Sequence, residues 1–376
     1  MEVKKKILVK IQDVVEDCKL LSPKSAINVF REFLNEFEQK EIKRFKHVYY
    51  VKREFKAVSE NFSDAEGGYL MEIGDSICYR YEVVQVLGSG VFGQVVKCMD
   101  HKMNEFVAIK VLRRTHTSKN QGLSEYKFSH LLNSASQSSC IVQVKRKFEF
   151  RFHFFIVFEL LGCTLREFIQ INSFQGIPST LVKRLTSQLL LALSHMHSLH
   201  IIHCDLKPDN IAFKHSNKSS IRVFDFGSSC LETNTIFTYI QSRYYRAPEI
   251  VLQVGKYNTA IDMWSLGCVV AEMLLGEPLF KGKNEQELIK SMVRILGSPP
   301  EELVVKAKAK NLLENCKDGN KLSFYFAKFG TGVIEFLQGC FKWNPNERMT
   351  AKEGIKAKWF LVKQTKSGEK IKKSRC

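Results

Sequence analysis

Two short stretches of this chain hold residues that could do chemistry: HCDLKPDN, from His203 to Asn210, and DFGSSC, beginning at Asp225. Between them they supply an acid, a cation and two further oxygen donors in Asp205, Lys207, Asn210 and Asp225. Transfer of a phosphoryl group from ATP to a hydroxyl asks for that set. The reaction needs little covalent help, so a protein mainly positions the nucleophile and neutralises spreading negative charge. Asp205 would orient the hydroxyl and accept its proton, while Lys207 would reach the phosphoryl group in transit. Asn210 and Asp225 offer the hard oxygen ligands that Mg²⁺ prefers. Asp and Asn also gather in turns for backbone reasons alone, and a merely structural turn is the competing reading.

A phosphate donor must also be held. From Tyr81, YEVVQVLGSGVFGQVV reads as a strand, a turn with Gly88, Gly90 and Gly93, and a second strand containing Val95. Glycine lets backbone amides approach phosphates closely, although glycine-rich hairpins have structural uses as well. The following strand, VAIK, ends at Lys110 among Val107, Ala108, Ile109 and Val111. An ammonium on so apolar a strand needs a counter-charge. Glu125 is the candidate, in a stretch where Leu123, Tyr126 and Leu131 can share one face of a helix; a solvated glutamate is the alternative.

Other elements must position these residues. IDMWSLGCVVAEML, from Ile261, is an apolar helix without a wide polar face, as expected at the centre of a large lobe. Residues 180–199 place Leu181, Leu185, Leu189, Ala192, Met196 and Leu199 at helical spacing, a core stripe. Nearer the N-terminus, Ser22 and Pro23 start a helix that puts Ile27, Phe30, Leu34 and Phe37 on one face, before the aromatic KHVYYVKREF. Glu60 to Gly68, containing NFSDAEGG, reads as a flexible connection.

With 376 residues, 44% of them hydrophobic, the chain can fill two lobes and an appendage. No run is long enough to span a membrane, and MEVKKKILVKIQ lacks the apolar core and cleavage site of a signal peptide, so an intracellular protein with no membrane partner is expected. Eleven cysteines without CxxC spacing argue against a zinc site or a secreted disulfide framework. A net charge of +18 would attract polyanions, yet no nucleic-acid-binding motif accompanies it. KAKAK, from Lys306, and the tail KSGEKIKKSRC, from Lys366, therefore read as solvated charge, with a nuclear-localisation patch as the alternative for the tail. Nucleic acid is not an expected partner, and the expected state is a monomer.

Residues from about Tyr79 to Val362 resemble a protein kinase of the CMGC group, and within it the dual-specificity tyrosine-regulated kinases, the DYRK family, in its class II form. The marks are HCD where most kinases have HRD, SSC directly after DFG, and YIQSRYYRAPEI from Tyr239. The resemblance implies an α+β, bilobal protein kinase fold: a kinase domain over 79–363, with a small antiparallel β-sheet lobe carrying the family's C helix at about 79–158 and a larger, mainly helical lobe at about 162–363. SPKSAINVFREFLNEFEQKEIKRF and VYYV resemble the DYRK homology box and the start of the class II accessory segment, which makes 1–78 an accessory region; a helix that simply caps the small lobe is the alternative. Residues 364–376 form a basic tail.

The same resemblance implies phosphorylation of serine and threonine in protein substrates with ATP and Mg²⁺, Mn²⁺ being a substitute, and autophosphorylation of Tyr239 in the activation loop. The ATP site would comprise Leu87, Gly88, Ser89, Gly90, Val91, Phe92, Gly93, Val95, Ala108 and Lys110, with Phe158, Glu159, Leu160 and Leu161 as the hinge. Backbone groups of Glu159 and Leu161 would pair with adenine, and Lys110, braced by Glu125, would hold the α- and β-phosphates. Arg243 and Arg246 would cradle phosphorylated Tyr239, because Cys204 stands where many kinases have the phosphate-receiving arginine. Phe237 occupies the family's usual first-tyrosine position. Glu167 and Asp209 match acidic positions that face an arginine upstream of the phosphorylated residue, and YRAPE an arrangement that tolerates proline after it, so both preferences are expected. His203 as loop anchor, Asp262 as brace and the Glu249–Arg348 ion pair would be structural. Phe224 before DFG, beside the large gatekeeper Phe158, predicts a closed back pocket, and Val91 is a lesser departure from the family. The loops of Cys204 and Cys230 should lie near each other, two reduced, buried thiols being the expected state and a regulatory disulfide the alternative. An active kinase is the reading that the complete set Lys110, Glu125, Asp205, Lys207, Asn210 and Asp225 favours. A nucleotide-binding pseudokinase scaffold is the alternative, and a basic nucleic-acid-associated protein with a degenerate core the third.

Overall fold

Tyr81, Val83, Val96, Cys98, Val107, Ile109 and Val111 are buried at alternate positions along three consecutive strands, the period-two pattern of a sheet with one covered face. The computed structural model describes residues 20–54, 61–135, 140–215, 219–235, 239–314, 316–317 and 319–361. Phe237 and the basic tail from Lys366 lie outside the described residues. Two units emerge: one comprises the chain up to Tyr126 with Gln143–Leu160, the other Lys127–Val142 and the chain from Leu161 onward.

The first unit is built on a six-stranded antiparallel sheet of β1 (Ser76–Ile77), β2 (Tyr81–Gly90), β3 (Gly93–Asp100), β4 (Glu105–Leu112), β5 (Val144–Phe150) and β6 (His153–Glu159), in the order β1-β2-β3-β4-β6-β5. Its register sets Lys110 between Val95 on β3 and Ile156 on β6, well inside the sheet. Residues 20–54 fall within this unit. Helix α1 (Pro23–Phe30) starts at Ser22, whose hydroxyl accepts from the Ser25 N–H, and helix α2 (Glu36–Glu41) follows. The single helix expected from Ile27 to Phe37 is thus two. Asn35 restarts the chain by forming a reciprocal capping box with Glu38, and Leu34 is still buried, with Ala26, Phe30, Ile42, Val48, Val51 and Tyr79, in a small core of its own.

The stretch read as a flexible connection is a folded turn. Asp64 Oδ1 accepts from the N–H groups of Glu66 and Gly68 at 2.8 and 2.7 Å, and the Gly67 carbonyl accepts from Arg114 N–H at 2.7 Å. Phe62 leaves it to lie 4.2 Å from the Arg151 guanidinium, which also pairs with Glu41 at 2.8 Å and Glu38 at 3.3 Å. Asx turns and glycine permit such tight structure as readily as a loose linker, and only these distant partners decide.

Helix α3 (His116–Ala135) carries Glu125. Its buried residues are Ser118, Gly122, Glu125, Phe128, Ser129 and Leu132, not the expected stripe, and Leu131 is 40% exposed. Helices α4 (Leu165–Ile171), α5 (Ser179–Ser198), α6 (Pro248–Val251) and α7 (Ala260–Leu275) and the short pairs β7 (Ile201–Ile202) with β10 (Cys230–Leu231) and β8 (Ile211–Phe213) with β9 (Ile221–Val223) organise the second unit. On α5, Leu185, Leu189, Ala192 and Met196 are buried, whereas Leu181 and Leu199 are only partly covered. Every residue of α7 from Ile261 to Leu274 is buried, and a side chain on its Gly267 would come within 2.8 Å of Cys340 and Phe341. A small antiparallel sheet with its helix, followed by a mainly helical region, is the α+β arrangement expected from the sequence.

Candidate active site

In the first unit the glycine-rich hairpin separates into two kinds of glycine. Gly93 has φ +149°, and a Cβ there would strike the Val111 carbonyl, so the sheet itself demands it. A Cβ on Gly88 or Gly90 would meet no protein atom within 4 Å. Packing within the fold does not require those two, so the hairpin's open end has bare backbone with free space around it. Leu87, Val91 and Phe92 stand exposed there, Val91 at 78%, with Ser89 between them. Val95 and Ala108 are partly covered.

Lys110 Nζ lies 2.7 Å from Glu125 Oε2, and the Glu125 side chain is almost wholly buried. At the end of β6, Phe158 is buried and Glu159 is tied to Gln143 twice: its N–H donates to the Gln143 carbonyl and its Oε1 accepts from the Gln143 N–H, both at 2.9 Å. Leu160 closes this unit and Leu161 opens the next.

In the second unit the catalytic-type residues hang on a buried carboxylate. Asp262, at the start of α7, accepts from the N–H groups of His203 at 2.8 Å and Cys204 at 3.1 Å, and from His197 Nε2 at 3.0 Å. His203 holds the next residues of the loop in place. Its Nδ1 accepts from Asp205 N–H at 3.2 Å, so the proton must sit on Nε2, which faces the Phe224 carbonyl at 3.2 Å. That neutral tautomer joins the loop to the residue before Asp225, and a further bond runs from Phe224 N–H to the Asn210 carbonyl at 3.0 Å. Cys204 and Asp225 both adopt left-handed backbone, φ +66° and +64°, a strained state that surrounding bonds must hold.

The Asp205 carboxylate is surrounded by donors. Oδ2 accepts from Lys207 Nζ at 2.7 Å and Asn210 Nδ2 at 3.2 Å; Oδ1 accepts from the Ser242 hydroxyl at 2.7 Å and its N–H at 3.0 Å. Lys207 also donates to Ser242 Oγ at 2.9 Å. Sequence reasoning misses Ser242: it lies 37 residues along the chain from Asp205, and only its place just past Tyr239 hints at it. Asn210 Nδ2 is further committed to the Asp205 carbonyl at 2.9 Å, so its amide oxygen is the atom left for a cation. Among the described residues no three His, Cys, Asp or Glu side chains form a closed metal cage. Mg²⁺ asks for less, one or two protein oxygens with phosphates and water, and Asn210 with Asp225 fits that open donor set.

Tyr239 is 67% exposed, and Arg246 lies over its ring at 4.0 Å. Arg246, with Arg243 as the weaker contributor, holds the Tyr239 phenol below its usual range. The Arg246 guanidinium is buried and anchored by the carbonyls of Ile240 at 2.9 Å and Gln241 at 2.8 Å and by Glu285 at 3.2 Å, while Arg243 reaches the Lys283 carbonyl at 2.7 Å. Glu249 and Arg348 meet in a bidentate buried pair at 2.7 and 2.9 Å. Glu167 Oε2 caps its own helix through the Thr164 N–H at 2.7 Å, and Asp209 Oδ2 is 3.4 Å from Arg166. The sulfurs of Cys204 and Cys230 are 3.6 Å apart as free thiols, and their hydrogen bond together with burial pushes the Cys204 thiol up. No helix among the described residues is long and apolar enough to cross a membrane.

Comparison with known proteins points the same way. The family model "Protein kinase domain" matches residues 81–360. The chain is similar to human dual specificity tyrosine-phosphorylation-regulated kinase 4, 38% identical over 366 residues that cover 90% of this chain and 70% of the relative. It is 38% identical over 362 residues to the DYRK-family kinase pom1 of Schizosaccharomyces pombe, covering 88% of this chain and 33% of pom1. To dual specificity tyrosine-phosphorylation-regulated kinase 2 of Drosophila melanogaster it is 37% identical over 365 residues, 89% of this chain and 50% of that kinase. The chain thus spans between a third and about two thirds of these relatives' lengths.

Proposed function

Because the chain belongs to the DYRK family of protein kinases, we propose that it transfers the γ-phosphoryl group of ATP to serine and threonine side chains of protein substrates and, during its own maturation, to Tyr239. The observation that carries this reading is the Asp205 carboxylate, held on one oxygen by Ser242 and on the other by Lys207 and Asn210. Asp205 would orient the acceptor hydroxyl and take its proton, and Lys207 beside it would offset charge on the phosphoryl oxygens. Lys110, braced by Glu125, would fix the α- and β-phosphates, and bare backbone at Gly88 and Gly90 would close over them. Bound at Asn210 and Asp225, Mg²⁺ would neutralise the phosphates and orient them.

Phosphate on Tyr239 would add nearly two negative charges beside Arg246 and Arg243, turning a ring-on-guanidinium contact into charge-assisted hydrogen bonds that order the loop. Residues 20–54, packed on the sheet unit, would support that maturation. The segment from Tyr245 to Glu249 would admit proline after the phosphorylated residue. An upstream arginine is the other preference expected from Glu167 and Asp209, and Arg166, 3.4 Å from Asp209 Oδ2, bears on it. The pseudokinase alternative lacks a comparable observation in its favour. Asp205→Asn should lower kcat on a serine peptide followed by proline by about 10²–10⁴-fold, with the unfolding midpoint kept. An unchanged rate would remove Asp205 from the chemistry, and ATP binding without turnover in the wild type would establish the pseudokinase.

A further inference from the structure

Arg166, in the first turn of α4, is the centre of a network that nothing in its local sequence announces. Its Nη1 donates to Glu272 Oε1, and its Nη2 lies 2.5 Å from the Tyr245 hydroxyl and 3.4 Å from Asp209 Oδ2. Tyr245 in turn donates to Glu272 Oε2 at 2.6 Å. Glu272, on α7, is fully buried, as is nearly all of Tyr245. Burial drives the Glu272 carboxyl above its usual range, against the pull of Tyr245 and Arg166. One guanidinium therefore serves a buried carboxylate, a buried phenol and the exposed Asp209.

We propose that Arg166 is a specificity-determining residue: it fills, from within the chain, the carboxylate site that would otherwise take an arginine upstream of the phosphorylated residue, so that substrates are accepted without regard to that arginine. The inference rests on the reading of the chain as a serine/threonine kinase. Asp209 and Glu272 carry two negative charges, and Arg166 cancels one of them in place. A substrate arginine could gain Asp209 only by lying beside the Arg166 cation or by displacing it. Displacement leaves a fully buried carboxylate with the Tyr245 hydroxyl but without its cation, which is strongly destabilising. The tethered arginine, moreover, has no association entropy to lose, whereas the peptide's does. The planar fork of arginine is what allows three partners at once; a lysine would reach them as a point charge. Glu167, the other acidic candidate, spends Oε2 on capping α4.

The test uses the full chain and two peptides identical except for arginine or alanine at the upstream positions. The ratio of their kcat/KM values is the readout, because it cancels any general loss of activity. The wild type should give a ratio within about threefold of one. Arg166→Met should raise the ratio in favour of arginine by about tenfold or more, the worth of a charge-assisted hydrogen bond. Adding Asp209→Asn to Arg166→Met should bring the ratio back down. Where thermal unfolding shows that Arg166→Met does not fold, the wild-type ratio and that of Arg166→Lys decide. A wild-type preference for arginine of about tenfold or more, or a ratio untouched by Arg166→Met in folded protein, overturns the inference alone. Failure to phosphorylate either peptide or Tyr239 overturns the kinase reading, and this inference with it.

Discussion

The two units hold their chemical residues by different means. In the sheet unit, Lys110 and Glu125 come from a strand and a helix and meet side chain to side chain at 2.7 Å. In the helical unit, the catalytic-type loop is held by its backbone: Asp262 takes the N–H groups of His203 and Cys204, His203 takes that of Asp205, and Phe224 bonds Asn210. Side chains meeting across two elements depend on where the helix lies. Backbone groups bonded to a buried carboxylate leave the loop little freedom, and two left-handed residues, Cys204 and Asp225, persist because of it. The difference separates a pair whose geometry follows the position of a helix from a loop that is prebuilt.

That contrast can be broken by substitution. The largest effect belongs to Asp262→Ala, which leaves two buried amides without an acceptor at about 1–3 kcal/mol each, besides uncoupling His197. Urea unfolding should show a lower midpoint with an unchanged slope. A loss of less than about 1 kcal/mol would mean that the loop is not held by its backbone. Glu125→Gln is the smaller and opposite case. It keeps shape and removes charge while leaving the amide oxygen as an acceptor for the partly exposed Lys110 ammonium, so stability should fall less than in Asp262→Ala, while kcat/KM for ATP falls about 10–100-fold, the equivalent of a lost charge-assisted bond. Equal damage to stability from both substitutions would erase the distinction between the units.

Legibility in the sequence depends on distance along the chain. His203 to Asn210 and Asp225 can be read because the residues are contiguous or nearly so, and their spacing alone suggests phosphoryl transfer. Lys110 and Glu125 require only a strand and the next helix. Ser242 joins Asp205 across 37 residues and Arg166 joins Glu272 across 106, so neither contact has a local signature. Element detail fails for local reasons. The apolar spacing from Ile27 to Phe37 continues across a break that Asn35 and Glu38 impose by capping. On α3 the buried stripe includes a charged residue, Glu125, which a count of apolar positions passes over in favour of the exposed Leu131. At the hairpin, Gly88, Gly90 and Gly93 have the same standing by residue type; the backbone separates the one that the sheet needs from the two that it does not.

Phosphotyrosine mapping at Tyr239 tests the account most directly. The chain would be expressed in bacteria, which supply little tyrosine kinase activity of their own, and its peptides compared by mass spectrometry with those of Lys110→Met. Phosphate on Tyr239 in the wild type and its absence from folded Lys110→Met is the predicted result, joining ATP use, the Lys110–Glu125 pair and the Arg246 cradle in one observation. Unmodified Tyr239 in folded, ATP-binding wild type, or equal modification in Lys110→Met, would contradict it.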